Sequence, residues 1–280
     1  MENSAAPFLP LTNHSDTPLI TVQLMACAKD FHFIHRALAS LAAQTLSHDQ
    51  MEVQLLYDGT PSAEAEQTLE AAAHRSGLPW INFHPCRETG YYTVARNEAL
   101  PATWGHYIQH MDVDNEFRPD HLRGLLEAIR VPHPDEGWPA FVYSRRLYVI
   151  DEDQPKKTLP TGESPLAPWT EESKRKLTLS PQNNFIDTGD FLISKGALYE
   201  LAERSGCVWN SEMRRFGDWD LVSRLAKHGF RGRAVDQVTH VYHWSKGNLQ
   251  TTRNVSDVMH IPQGVYENLK AQGLIQERGR

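Results

Sequence analysis

The stretch Tyr107-Ile108-Gln109-His110-Met111-Asp112-Val113-Asp114-Asn115 decides how this chain is read. Its first five residues predict a short strand that runs straight into the two aspartates. Pro119 and Asp120 then open a helix whose apolar residues Leu122, Leu125, Leu126 and Ile129 recur at helical spacing. Residues two apart on a strand point to one side, so Asp112 and Asp114 can face one hard divalent cation. A cation held there could clamp a diphosphate, which gives two adjacent negative charges a reason to stand at a strand end. The competing reading is an acidic turn, because Asp and Asn favour strand ends and helix starts whatever their function. An isolated Asp-x-Asp is also common by chance.

Upstream, residues 19–25 read as a buried strand, followed by a helix carrying Phe33, Ile34, Leu38 and Leu41. Residues 53–57 form a second strand ending at Asp58-Gly59, a helix spans about 62–75, and residues 81–83 form a third strand. This alternation predicts an α/β fold with a mostly parallel central sheet flanked by helices. Ligands of such sheets sit at the carboxyl ends of the strands, where Asp58 and Asp112 both fall. Downstream, residues 141–150 read as a strand, 191–193 as another before a helix at 195–204, a further helix starts near Asp218, and a last strand covers 238–242. Residues 151–182 are rich in Pro, Ser and charge without periodicity, which suits a lid that excludes water from a site. The expected organisation is a loose segment over 1–17, a domain over 18–250, and a tail over 251–280 with a weak helix.

A chain of 280 residues can bury a substantial core, and its formal charge of -7 argues against general nucleic-acid binding. Cys27, Cys86 and Cys207 are widely spaced and odd in number, which fits a reducing compartment and gives no structural zinc pattern. No apolar run reaches the length of a membrane span and no leader pattern opens the chain, so a cytoplasmic location is expected.

Five motifs then occur in order: Leu55-Leu56-Tyr57-Asp58-Gly59, Gly90 with Ala95-Arg96-Asn97-Glu98-Ala99-Leu100, His110-Met111-Asp112-Val113-Asp114-Asn115, Gly217-Asp218-Trp219-Asp220-Leu221, and Tyr242-His243-Trp244-Ser245-Lys246-Gly247-Asn248. In this order and spacing the chain resembles a family 2 glycosyltransferase with the GT-A nucleotide-sugar-binding fold, over about residues 19–250. The resemblance implies an inverting transfer from a nucleotide-diphosphate sugar, with a uridine nucleotide favoured, to a hydroxyl of a saccharide or other acceptor. It implies that Asp58 binds the base or ribose, that Arg96 faces the nucleotide, and that Asp112, Asp114 and His243 hold Mn²⁺ or Mg²⁺. Asn115 stands where a second Asp often follows in this motif. Asp218 aligns with the general base, with Asp220 as its rival. Gly217 replaces the Glu usual before it.

Around these, Asn183, Asn184, Thr188, Gly189 and Asp190 occupy a region where the resemblance implies acceptor-facing residues, and Asp190 and Trp219 are the acceptor candidates. Trp138, Trp169 and Trp209 could stack on sugars, although tryptophans more often pack the core. Lys246 and Arg253 could close over the diphosphate. Each residue also has a plainer reading: an Asp-Gly turn at Asp58, a surface Arg96, a helix cap at Asp218, scaffold histidines. Two other functions stay open. A sugar-phosphate nucleotidyltransferase should carry a glycine-rich loop after the first strand, where Ala26-Cys27-Ala28-Lys29-Asp30 stands instead. A degenerate transferase could bind nucleotide or glycan without turnover.

Overall fold

The computed structural model describes residues 18–133, 137–152, 161–213 and 215–244. The expected loose N-terminal segment, the C-terminal tail with its helix, Lys246 and Arg253 lie outside the described residues, as do residues 153–160 of the expected lid.

The first half alternates as its sequence predicts: β1 (Ile20–Ala26), α1 (Ile34–Ala42), β2 (Met51–Asp58), α2 (Ala63–Ser76), β3 (Ile81–Cys86), α3 (Tyr92–Ala99) and β4 (Tyr107–Asp112). Then follow β5 (Glu116–Phe117), α4 (His121–Ile129), β6 (Phe141–Ile150), β7 (Gly162–Glu163), α5 (Glu171–Leu179), β8 (Phe191–Ser194), α6 (Lys195–Ser205), α7 (Gly217–Lys227) and β9 (Gly232–Trp244). The sheet runs in the order β3-β2-β1-β4-β8-β6-β9-β5, with β7 paired to β6. β3, β2, β1 and β4 pair in parallel. β8 is antiparallel to both β4 and β6, which turns β6, and with it the parallel β9, back to the common direction. The sheet is therefore mostly parallel, as expected for an α/β fold.

β1 is buried along its whole length because it has a strand on either side and helices on both faces. Ile20, Val22, Leu24 and Ala26 point into one apolar core with residues of α1, α2 and α4. The other face of β1 carries a polar ladder: Gln23 donates to Gln54, and Gln54 donates to the Ala99 carbonyl. A second core on that side gathers Phe141, Phe191, Leu177 and Trp219 between β6, β8, α5 and α7.

Residues 161–182 are not the featureless loop their composition suggests. They hold β7 and α5, whose start is fixed by a reciprocal cap between Thr170 and Ser173. Only Leu177 of α5 is buried, so the helix has no apolar stripe for periodicity to find. The two-residue β5, which pairs with His240 and Val241 of β9, is equally invisible to pattern. Among the described residues no helix is long and apolar enough to cross a membrane.

Candidate active site

The carboxyl ends of β2 and β4, the start of α7 and the end of β9 carry the candidate residues. Asp58, the last residue of β2, accepts the backbone N–H of Thr89 at 3.0 Å and of Gly90 at 2.9 Å. Its carboxylate thus closes the loop leading into α3, and its remaining lone pairs can still accept from a ligand.

Arg96 sits differently from the expectation that it faces the nucleotide. Its side chain has 0% exposure, and Nη2 donates to Asp112 Oδ1 at 2.7 Å. The guanidinium lies 4.7 Å from the Tyr92 ring centroid and 5.0 Å from that of Trp209, with Nε and Nη1 buried and unpartnered among the described residues. It is a buried cation in an aromatic sleeve that holds Asp112 from behind. Trp209, considered as a sugar platform, is one wall of that sleeve and is buried. Trp169 is partly buried, packing against Phe141 and donating to the Phe230 carbonyl at 3.1 Å.

Asp112 keeps 42% of its side chain exposed at the end of β4. Desolvation raises the proton affinity of its carboxyl, Arg96 opposes that, and Asp187 adds to it. Asp114 is held well above the usual carboxylate range by desolvation, then by repulsion from Asp112 and Asp30, with Arg36 opposing. These crowded carboxylates form a hard-oxygen donor set whose repulsion a divalent cation would relieve, so the residues present fit Mg²⁺ or Mn²⁺. Among the described residues no group of three or more His, Cys, Asp or Glu side chains is placed to hold one ion. Two carboxylates with diphosphate oxygens and water completing the shell is the usual Mg²⁺ arrangement.

His243 is gripped by two other carboxylates. Its Nδ1 lies 2.6 Å from Asp151 Oδ1 and its Nε2 2.7 Å from Glu116 Oε1. Arg36 completes the cluster, 3.2 Å from Asp151, and donates to the Asp114 carbonyl. Asn115 explains itself here: its Oδ1 accepts the backbone N–H of His243 at 3.0 Å, pinning the end of β9 to the aspartate turn.

Asp218 opens α7, partly exposed, one residue after Gly217. Its Oδ2 accepts from Asn184 Nδ2 at 2.7 Å. Desolvation first and Asp187 second push its carboxyl up to about 7, against the Trp219 N–H and Arg146, with Asp112 adding to the rise. Helix N-termini favour the charged carboxylate, and here burial outweighs them. The rival, Asp220, is buried and its Oδ2 is held by Arg224 at 2.9 and 2.7 Å. Desolvation raises its proton affinity, with Arg224 opposing, and it is part of the scaffold.

Both acceptor candidates are corrected by burial. The Asp190 side chain is 1% exposed, lies 2.8 Å from His240 Nδ1, forms an ion pair with Arg146 and accepts the Asp187 N–H. Trp219 has 0% exposure and donates to the Leu177 carbonyl at 2.8 Å, joining α7 to α5. Neither presents a surface to a substrate. His110 and His240, less favoured from sequence, are buried scaffold residues.

A family model described as glycosyl transferase family 2 matches residues 24–201, more than half of the chain. The chain belongs to this family. No curated protein sequence matches it. Staphylococcus aureus TarS residues 1–349 in complex with UDP-GlcNAc superposes with a TM-score of 0.63 at 15% identity, over 90% of this chain and 65% of that one. The mannosyltransferase PcManGT from Pyrobaculum calidifontis, in complex with GDP-Man and Mn²⁺, gives 0.58 at 15% identity, over 84% and 59%. A longer S. aureus TarS structure gives 0.57 at 16% identity, over 81% of this chain and 37% of that one. The chain thus spans less than two thirds of the length of each of these structures, and at such identity they establish the GT-A fold.

As a family 2 glycosyltransferase, the chain places two residues that sequence did not single out. Asp187, buried, accepts the Gly189 N–H at 3.2 Å and raises the proton affinity of Asp112, Asp114 and Asp218 alike. Arg146, on β6, answers it at 3.5 Å from Asp187. Neither lies in a motif, since an Asp before Thr-Gly and an Arg in a strand carry no pattern of their own.

Proposed function

We propose that the protein is a metal-dependent, inverting glycosyltransferase that moves a sugar from a nucleoside-diphosphate donor, a uridine nucleotide favoured, to an acceptor hydroxyl. The observation that carries the reading is the placement of Asp218 at the start of α7, near enough to Asp112 at the carboxyl end of β4 for the two charges to act on each other. The TarS and PcManGT structures, bound to UDP-GlcNAc and to GDP-Man with Mn²⁺, support a donor of this class.

In this reading Asp58 receives the base or ribose, and Asp112 and Asp114 are the residues that would hold Mn²⁺ or Mg²⁺. The metal, when bound, supplies charge neutralisation for the departing diphosphate. Arg96 fixes Asp112 from the protein side. The ionised Asp218 takes the proton of the acceptor hydroxyl as its oxygen bonds to the anomeric carbon. The bond from that carbon to the diphosphate oxygen breaks on the opposite face, and the electron pair leaves with the nucleoside diphosphate. His243 serves in this scheme as the anchor of β9 beside Asp114. The free cysteines suit a reducing, cytoplasmic setting.

The test is release of nucleoside diphosphate from UDP-GlcNAc and from GDP-Man with Mn²⁺ present, water serving as acceptor. Asp218→Asn should lower turnover by about 10²–10⁴-fold with donor KM unchanged. Undiminished turnover in that variant contradicts the assignment of the base. A nucleotide-binding module without turnover is the second reading, favoured by Gly217 standing where the family usually has Glu.

A further inference from the structure

The carboxylate that would take the acceptor proton is contacted by one side-chain amide, and that amide is itself held in place. Asn184 Nδ2 donates to Asp218 Oδ2 at 2.7 Å across 34 positions of sequence, while Asn184 Oδ1 accepts the Ile186 N–H at 3.2 Å. The second bond fixes which end of the amide faces Asp218, because only the NH₂ end can donate. The backbone is fixed too: Asn184 N–H donates to the Pro181 carbonyl at 3.1 Å, and Asn183 Nδ2 ties the same turn to the Lys176 carbonyl of α5 at 2.7 Å. Farther along, Gln109 of β4 donates to the Gly189 carbonyl at 2.9 Å, so the segment is tethered at both ends.

We infer that Asn184 is the positioning residue of the general base, occupying one oxygen of Asp218 so that the other faces the acceptor hydroxyl. The inference rests on Asp218 being that base. Gly217 stands where the family usually has Glu, and the side chain that reaches Asp218 is a neutral donor from a distant segment. A neutral donor stabilises the ionised carboxylate that must accept the proton, whereas a second carboxylate would repel it. The other groups facing Asp218 are Asp187 of the same segment, Asp112 of β4, Arg146 of β6 and Tyr92 of α3. The two aspartates disfavour the ionised form, and Arg146 with the Trp219 N–H favours it. Removing the amide should therefore move the titration of Asp218 upward.

Two readouts separate this inference from the function it rests on. The protein labelled with ¹³C at the Asp side-chain carboxyl is titrated by NMR, and the Asp218 resonance is assigned by its loss in Asp218→Asn. The inference predicts that Asn184→Ala raises the midpoint by about one pH unit. Asn184→Asp, which keeps the shape and adds a charge, should raise it further. In donor hydrolysis, the acid limb of kcat should move with the midpoint, kcat at pH 7 should fall several-fold, and donor KM should stay unchanged. An unmoved midpoint in a folded Asn184→Ala overturns the inference and leaves Asn184 as a tie between segments. Should the alanine variant not fold, an unmoved midpoint in Asn184→Asp overturns it equally. If the midpoint moves while Asp218→Asn hydrolyses donor normally, the function assigned to Asp218 fails and the positioning contact stands.

Discussion

Asp218 and Asp220 stand two residues apart on α7 in different settings: Asp220 is buried against the Arg224 guanidinium, and Asp218 is partly exposed against the neutral amide of Asn184. Arg224 grips Asp220 with two nitrogens where neither is exposed. Breaking such a pair leaves a buried charge alone, so Asp220→Asn should cost about 3–5 kcal/mol in chemical denaturation. Asp218 meets desolvation first and the repulsion of Asp187 second, which gives its stability effect the opposite sign. Its folded proton affinity, about 7, lies above the ordinary 3.8, so the folded state binds the extra proton between those values. Its contribution is present at low pH and is lost as pH rises through 7. Asp218→Asn should therefore raise Tm at pH 8 by about 2–4 °C, or ~1 kcal/mol, and change it little at pH 4. A variant less stable at pH 8 would contradict the repulsion. Sequence points to Asp218 through its motif, and it offers Trp219 as its neighbour and Asp190 only through the region it lies in. What separates them is burial: Asp190 and Trp219 are enclosed by β6, β9 and α5, partners scattered along the chain.

At the scale of elements, the start of α7 is built around the absence of a side chain. A Cβ on Gly217 would lie 2.7 Å from the Tyr92 hydroxyl and 2.7 Å from Thr93 Cγ2, both on α3. The Tyr92 hydroxyl accepts the Gly217 N–H at 2.8 Å, and Phe216 just before it takes a φ of 59°, which strains an L side chain. The departure from the family's Glu is thus a fit between α3 and α7. Gly217→Ala should cost about 1–3 kcal/mol, read as a lowered urea midpoint. Gly217→Glu should lower stability at least as much and should not raise turnover. An alanine variant as stable as the parent would show that the two helices are not locked here. α5 shows why some elements escape a sequence reading. Its one buried residue, Leu177, gives no period, and its signature is only the cap Thr170 with Ser173. β1 and β2 are legible because their apolar residues, Ile20, Val22 and Leu24 and then Met51, Val53 and Leu55, alternate at strand spacing.

Over the whole molecule, the parallel half from β1 to β4 follows from strand–helix alternation, and the aspartates at its carboxyl edge follow from the general placement of ligands in such sheets. The second half, in which β8 reverses direction and β9 returns parallel to β6, is set by long-range pairing that no local pattern encodes. That half supplies Asp187, Arg146 and the Glu116–His243–Asp151 cluster, and it is where the site was least readable. The halves meet at the carboxylate cluster around Asp112 and Asp114, whose oxygen donors suit a metal-bound diphosphate. The most direct test is calorimetric titration of the protein with UDP and with GDP, with and without Mn²⁺, alongside Asp114→Ala. One nucleotide should bind only with Mn²⁺, and Asp114→Ala should weaken its binding at least tenfold while the variant stays folded. Binding of equal strength without metal, or unchanged in Asp114→Ala, would contradict it.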